Sequence, residues 1–366
     1  VAVNNVTIDF NRLETFHPAE RSPELMDIYF SAYPTAAIFY KVAMAGSLDA
    51  ASQMKDWANN FIHGRVSTKS NLFGGRGTYE SPVLFSPLSG TTDGSGVNPI
   101  TNSPVQAYTK ARWDLNRKYT PVALPSDEWG MAQAIGDSVE RGVVSMNLMT
   151  SAFGNAFKTH LSAINSDLIG TNTSSEAGVL SLIAGFGTSA TETGTYGNIS
   201  RSSITQWRSN YDTGTLANWI TNTSADFCVS IMGEMVDTVQ ANGANLNDLL
   251  FIMGSDTFRG YRRSLQGLGT TNSAYYRFDA DSGRKIPHAE LYYSGGIPVI
   301  HDPNLTAKRV YLIDTATTYL IGVSGNIFKL SDWNLSENAT QEWARLHTFS
   351  NVVMTKPNNN FYYLTT

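Results

Sequence analysis

The sequence predicts an α+β fold, with helices and strands segregated along the chain. Three observations carry this reading. A long helical series occupies the first half. Strand-like runs separated by Gly- and Pro-bearing turns dominate after residue 246. Between them and the N-terminus, residues 63–110 form a Gly/Ser/Thr/Pro-rich stretch with little apolar periodicity. The 366 residues suffice for two compact domains or one domain with excursions. A hydrophobic content of 42% and an aromatic content of 11% support a real core.

Residues 1–61 read as an extended start followed by short helices. Ser22-Pro23-Glu24 has the residues of a helix opening: a capping hydroxyl, a first-turn proline and an acid that complements the helix dipole. Pro34 is expected to interrupt, and Ser47 to open a second helix reaching about Ile62. The apolar run Ile28 to Tyr40 is far shorter than the ~20 residues that span a bilayer and reads as core or arm packing.

Residues 63–110 contain Gly74-Gly75-Arg76-Gly77 and Ser89-Gly90-Thr91-Thr92-Asp93-Gly94-Ser95-Gly96. Val83 to Phe85 and Val105 to Trp113 bracket the stretch as extended pieces, so it is expected to be a two-stranded excursion from the body. The clearest element follows. Met131, Ile135, Val139, Val143, Met146, Met149, Phe153, Phe157, His160 and Ile164 advance 33 residues in nine steps, or 3.67 per step, the α-helical period. The expected helix runs from a Ser126 cap to Asn165, with Val143 and Phe153 buried along its stripe. Residues 166–223 read as polar. Ser224 to Gly243 forms a second amphipathic helix with Phe227, Ile231, Met235 and Val239 on one stripe and Cys228 beside it. Leu249 to Met253 fits a buried strand, and Ser255 to Gln266 a helix. Leu291 to Tyr293, Ile297 to Ile300, Val310 to Ile313, Phe349 to Met354 and Phe361 to Leu364 fit further strands.

Composition narrows the function. Charged residues are only 16%, with Asn, Ser and Thr filling the polar surface, which suits close packing between copies because few charges need desolvating; it suits a sugar binder equally. A net charge of −5 argues against tight nucleic-acid binding. The single cysteine, Cys228, excludes an intrachain disulfide and a cysteine-rich zinc site, and reads as a small buried hydrophobe. No secretory leader is expected.

No catalytic, cofactor-binding or metal-binding constellation emerges. The six histidines, His17, His63, His160, His288, His301 and His347, form no metal-ligand pair, and His301-Asp302 reads as a turn ending a strand. No nucleophile elbow or phosphate loop is present; Gly74-Gly75-Arg76-Gly77 lacks a following helix signal. Asp279 and Asp281 beside Gly283 lack the closing acid of a calcium loop. Arg259, Arg262 and Arg263 read as a solvated or intersubunit salt-bridging face.

Several phrases, in their order, resemble the major capsid proteins of tailed bacteriophages. Ala111-Arg112-Trp113-Asp114 through Pro121-Val122-Ala123-Leu124 into Ser126-Asp127-Glu128 is similar to the strand returning from that family's extended loop. Tyr196-Gly197-Asn198-Ile199-Ser200-Arg201 with Trp207-Arg208 resembles the segment before the second helix, with Asn198 where the family often has a second glycine. Tyr292 to Asp302-Pro303, containing Gly295-Gly296-Ile297-Pro298-Val299, resembles the axial hairpin. The resemblance implies a fold of the Hong Kong 97 (HK97) type. It divides the chain into an N-terminal arm (1–61), an extended loop with its return strand (62–124), a peripheral domain with the spine helix and a polar insertion (125–245), an axial domain (246–323) and a return to peripheral strands (324–366).

It further implies a structural, non-enzymatic shell protein of the virion, assembled in the host bacterial cytoplasm. Such a protein forms hexamers and pentamers with scaffolding, portal and cement partners, and encloses double-stranded DNA without sequence-specific binding, with no cofactor and no membrane. Some members cross-link Lys to Asn between subunits, for which Lys69 is the first candidate lysine. The rival readings are a nanocompartment shell of the same fold and, in a different class, a secreted polysaccharide-active enzyme or carbohydrate-binding module.

Overall fold

The structure, a computed structural model, describes residues 30, 32–47, 70–73, 77–84, 108–125, 138–174, 176–220, 228–267, 291–293, 296–323, 325–332, 334–335 and 341–366. In chain order the elements used below are α1 (Pro34–Ser47), β1 (Ser70–Phe73), β2 (Thr78–Leu84), β3 (Tyr108–Asp114), β4 (Asn116–Pro125), α2 (Ser138–Ile169), α3 (Leu182–Phe186), β5 (Thr195–Tyr196), β6 (Ile199–Ser200), β7 (Asn210–Gly214), α4 (Leu216–Ile220), α5 (Cys228–Ala241), β8 (Leu249–Met253), α6 (Ser255–Gly267), β9 (Leu291–Tyr293), β10 (Ile297–His301), β11 (Arg309–Asp314), β12 (Thr318–Val323), β13 (Lys329–Leu330), β14 (Asn334–Leu335), β15 (Gln341–Met354) and β16 (Phe361–Thr365). The mixture is α+β, as the sequence predicts.

Two six-stranded sheets organise these elements. The first is built on β15, the longest strand. It pairs antiparallel with β4 from Gln341↔Pro125 to Ser350↔Asn116, and with β12, β13 and β14, while β1 adds parallel to β12. Along β15, Ala344, Leu346, Thr348 and Ser350 turn inward while Arg345 stays exposed, the period-2 pattern of a sheet covered on one face. The spine helix α2 supplies that cover. Its buried residues Phe157, Leu161, Ile164 and Leu168 recur at three- and four-residue spacing, and Phe157 packs against Phe328 at 5.0 Å and Phe30 at 5.9 Å.

The second sheet runs β7-β16-β11-β8-β10-β9. Its central strand β8 is buried on both faces, which explains its continuous apolar run. Leu250 and Ile252 face the core shared with the spine helix; Leu249, Phe251 and Met253 face a second core under α4, α5 and α6. Trp219 of α4 anchors that second core, packing on Tyr363 at 5.3 Å and donating from Nε1 to the Thr257 carbonyl at 3.0 Å. Gly260 makes room for it, since a Cβ there would lie 2.7 Å from the indole.

After the long passage from β4 through the spine helix to β7, the chain crosses between the sheets by two tight connections, Asp314–Thr318 and Thr355–Phe361. One buried polar cluster ties both crossings. Asn360 Oδ1 accepts from Asp314 N (2.8 Å) and Thr318 Oγ1 (3.1 Å), while Asp314 Oδ2 accepts from Thr317 Oγ1 (2.9 Å) and Asn359 Nδ2 (3.0 Å). Irregular backbone buried between layers must find partners, and these side chains provide them.

Pro34 interrupts as expected: Phe30 is helical, Ala32 lies in a turn, and Pro34 opens a new helix, its missing N–H being free to lose in a first turn. Three expectations are corrected. Ser47 is the last residue of that helix rather than an opening residue, and residues 48–62 lie outside the described residues. The polar segment 166–223 conceals an apolar plug, Val179 to Phe186, which is buried throughout. Its Phe186 stacks on Tyr311 at 5.0 Å, wedged against the second sheet. Finally, Phe153 is partly rather than fully buried. The spine ends at Ile169, four residues beyond the expected Asn165. Ser126, the side chain of Val143 and the helix opening at Ser22 lie outside the described residues.

Candidate functional site: a hairpin on an aromatic root

Strands β2 and β3 pair only with each other, in register from Thr78↔Asp114 to Leu84↔Tyr108. The expected two-stranded excursion is therefore present as a hairpin outside both main sheets. Glu80, Pro82, Lys110 and Arg112 are exposed. The ion pair Lys110–Glu80 spans 3.7 Å between solvated side chains, so it contributes little to stability. The connection 85–107 lies outside the described residues.

The base of the hairpin is different in kind. Trp113 is buried at the root, stacked with Tyr79 at 6.1 Å and packed on Tyr196 at 5.8 Å and Trp207 at 6.3 Å. Tyr79 and Tyr319 of β12 share a hydroxyl hydrogen bond at 2.9 Å. Tyr196 accepts from the Met354 amide at 2.8 Å, and burial pushes its phenol up to about 12, so it stays neutral. Trp207 donates from Nε1 to the Tyr196 carbonyl at 2.9 Å. Trp113 is thus clamped by Tyr79, Tyr196 and Trp207 at the base of a hairpin whose Glu80, Pro82, Lys110 and Arg112 are exposed.

The tight turn between β5 and β6 sets this root. Gly197 and Asn198 both have positive φ, 57° and 61°, the pair of left-handed residues that a two-residue hairpin favours. Gly197 approaches the Trp113 indole so closely that a Cβ would lie 2.8 Å from it, and its carbonyl accepts from the Arg112 amide at 2.9 Å. Only the second position tolerates a side chain, and Asn is the residue that adopts this conformation at least cost. The departure Asn198 from the paired-glycine pattern is therefore structurally neutral. Arg201, next along, is buried beneath Tyr196 at 5.2 Å and donates to the carbonyls of Ala184 (2.8 Å) and Gly185 (2.5 Å), closing the end of α3; burial lowers its pKa.

The other residues singled out from the sequence are dispersed. His160 is buried between the spine and the first sheet, bonded to Thr120 Oγ1 and Thr348 Oγ1 at 2.8 Å each; burial, with Lys118 nearby, lowers its pKa to about 3. His301 lies on Phe258 at 4.8 Å, while the buried Asp302 accepts from Thr35 Oγ1 at 2.5 Å and from the Asn304 amide at 2.8 Å, pinning α1 to the end of β10. Cys228 is buried against Ser264, and burial raises its thiol pKa to about 11. Arg259, Arg262 and Arg263 are exposed on α6. Among the described residues no three His, Cys, Asp or Glu side chains cluster to hold a metal ion, and no helix is long and apolar enough to cross a membrane. Lys69, Asp279, Asp281, His17, His63 and His288 lie outside the described residues. What sequence reasoning missed is the partnership of Trp113 with Tyr79, Tyr196 and Trp207; the signal was the recurrence of aromatic residues beside Gly197.

No family model and no curated protein matches the chain. Solved structures do. The capsid asymmetric unit of cyanophage A-1(L) superposes with a TM-score of 0.57 at 18% identity, covering 80% of this chain and 90% of that one. The capsid of a native GTA particle and Mycobacterium phage Bobi each reach a TM-score of 0.49 at 10% identity, covering 81% and 82% of this chain and 88% and 90% of theirs. With its spine helix, separate hairpin and two sheets, the chain has an HK97-type fold, similar to that in the cyanophage A-1(L) capsid.

Proposed function

We propose that this protein is a structural major capsid protein of a tailed phage, self-assembling into an icosahedral shell around double-stranded DNA. One observation carries the reading: the match to a phage capsid structure over 80% of this chain and 90% of the other. The physical argument is consistent with it. A hairpin anchored by a buried aromatic root and exposing Glu80, Pro82, Lys110 and Arg112 can gain further stabilisation from another copy, and copies repeated by symmetry close a shell.

In this reading residues 1–61 are an arm, 62–124 the extended loop and return strand, 125–245 the peripheral domain, 246–323 the axial domain and 324–366 the return. Hexamers and pentamers form in the host cytoplasm with scaffolding and portal proteins, and the protein performs no catalysis. The carbohydrate-directed alternative finds no support among the matched structures. Negative-stain microscopy of the purified, concentrated protein tests the proposal: closed shells or rings of capsomers are expected, and a population of only 40 kDa monomers overturns it.

A further inference from the structure

The face of the β4–β15 ladder turned away from the spine helix has an unusual make-up. Tyr119 is the only exposed large hydrophobic side chain among the described residues, at 51% exposure. It packs on Phe349 at 5.8 Å and His347 at 6.3 Å. Exposed Arg117 lies over Phe349 at 5.6 Å, and exposed Arg345 over Trp343 at 4.6 Å. Lys329, also exposed, sits opposite His347 on β13. None of the three cations is in an ion pair among the described residues; the neighbouring Lys118 points to the other face, toward Asp167. His347 is held below its usual pKa by burial and then by Lys329, so it adds no positive charge to Arg117, Arg345 and Lys329 at neutral pH; the one acid beside them among the described residues is Asp332, next to Ser331.

The chain holds a complement. Residues 1–29 contain Asp9, Glu14, Glu20, Glu24 and Asp27 against Arg12 and Arg21, five acids and two bases, a net −3 of the whole chain's −5. Phe10, Leu13 and Phe16 are interleaved with those acids. The segment joins the body at Phe30, buried against Phe328, the residue just before Lys329. Twenty-nine residues reach up to roughly 95 Å, ample to pass the edge of a sheet about 10 Å thick. A tethered segment also meets its own chain at high effective concentration. We propose that in the unassembled subunit residues 1–29 dock on their own chain's Arg117–Tyr119–Arg345–Phe349 face, acids to guanidinium groups and apolar side chains to the aromatic row. A long nucleic-acid polyanion is the poorer occupant, because the remainder of an acidic molecule repels it.

The inference does not rest on the capsid reading and is tested on the soluble protein of residues 1–366. Tyr119 is replaced by the photo-cross-linker p-benzoylphenylalanine, and equal amounts of isotope-labelled and unlabelled chain are mixed, irradiated and mapped by mass spectrometry. The expected product joins position 119 to residues 1–29 within one chain. Its yield falls severalfold from 0.05 M to about 1 M salt, where the Debye length shrinks to about 3 Å. The double change Arg117→Glu with Arg345→Glu lowers the yield, and adding Glu14→Lys with Glu20→Lys restores it. Cross-links to other segments, to nucleic acid or chiefly between differently labelled chains, or no product at all, overturn the proposal. So does a yield indifferent to salt and charge reversal.

Discussion

His160 shows how a single side chain couples this fold to pH. Both ring nitrogens are committed to threonine hydroxyls and the ring lies edge-on to Phe328 at 5.7 Å, so a proton has neither solvent nor an acid to receive it. Its folded pKa of about 3 is below the ordinary 6.5. Between those values the unfolded chain binds the extra proton, so stability is intact above pH 6.5 and falls as the pH drops toward 3. The loss expected from this group at pH 4.5 is about 2–3 kcal/mol. Urea titrations at pH 7 and 4.5 measure it. His160→Gln, which keeps a donor and an acceptor but no basic nitrogen, is expected to be less stable at pH 7 and to lose much less on acidification; an unchanged pH dependence would place the sensitivity elsewhere. Gly197 makes a second residue-scale case. Gly197→Ala combines a strained left-handed backbone with a clash on Trp113 and is expected to cost about 2–3 kcal/mol. Asn198→Gly, with space and conformation both suitable, is expected to change stability by less than about 1 kcal/mol. Equal effects at the two positions in thermal melts would refute this division of labour.

Elements that repeat one period were legible in the sequence, and those defined by distant partners were not. The spine helix announced itself because Phe157, His160 and Ile164 share a stripe, and β8 because Leu249 to Met253 is apolar without a break. Strand β1 was illegible: Ser70–Phe73 has no alternation of its own and exists by pairing with β12, some 250 residues later. The Val179–Phe186 plug was hidden by polar neighbours, because eight residues are too few for a period to show. The aromatic root was half visible, as Trp113 and Tyr196-Gly197 stood out singly while their contact is tertiary. The hairpin prediction follows from this anatomy. Removing residues 74–104 would take away Tyr79 and strand β2, and with them the root. Deleting only 85–104 spares the ladder, and is expected to leave thermal stability within about 1 kcal/mol of wild type while abolishing closed particles. Normal particles from that deletion would show that the hairpin end makes no essential contact. On the spine, Phe157→Ala is expected to cost about 3–5 kcal/mol and the half-buried Phe153→Ala clearly less; equal losses in chemical denaturation would mean that the stripe faces another way.

The two sheets behave as one mechanical body only if their crossings hold. Both tight crossings pass through the cluster of Asp314, Thr318, Asn359 and Asn360, and Asn360 Oδ1 is the acceptor shared between them. Asn360→Ala leaves Asp314 N and Thr318 Oγ1 buried without that acceptor, for an expected loss of about 2–4 kcal/mol. Its signature is broader than a lower midpoint. Because the lesion sits between the sheets, the wild type is expected to unfold in one calorimetric transition and Asn360→Ala in two, whereas a core lesion such as Phe157→Ala should leave the transition single. If the chain builds a shell as proposed, a polar joint suits it: hydrogen bonds fix an angle between layers more narrowly than interchangeable apolar contacts do. The molecule's charge points in the same direction, toward association by shape rather than by polyanion. With a net charge of −5, isolated subunits are expected to bind duplex DNA no more tightly than about micromolar at ~150 mM salt, with a shallow salt dependence. The steep slope of a protein that displaces many counterions would contradict this. Assembly is then expected to proceed equally in nuclease-treated protein, scored by light scattering and microscopy; particles that appear only when DNA is added would make nucleic acid, rather than contact between copies, the organising partner.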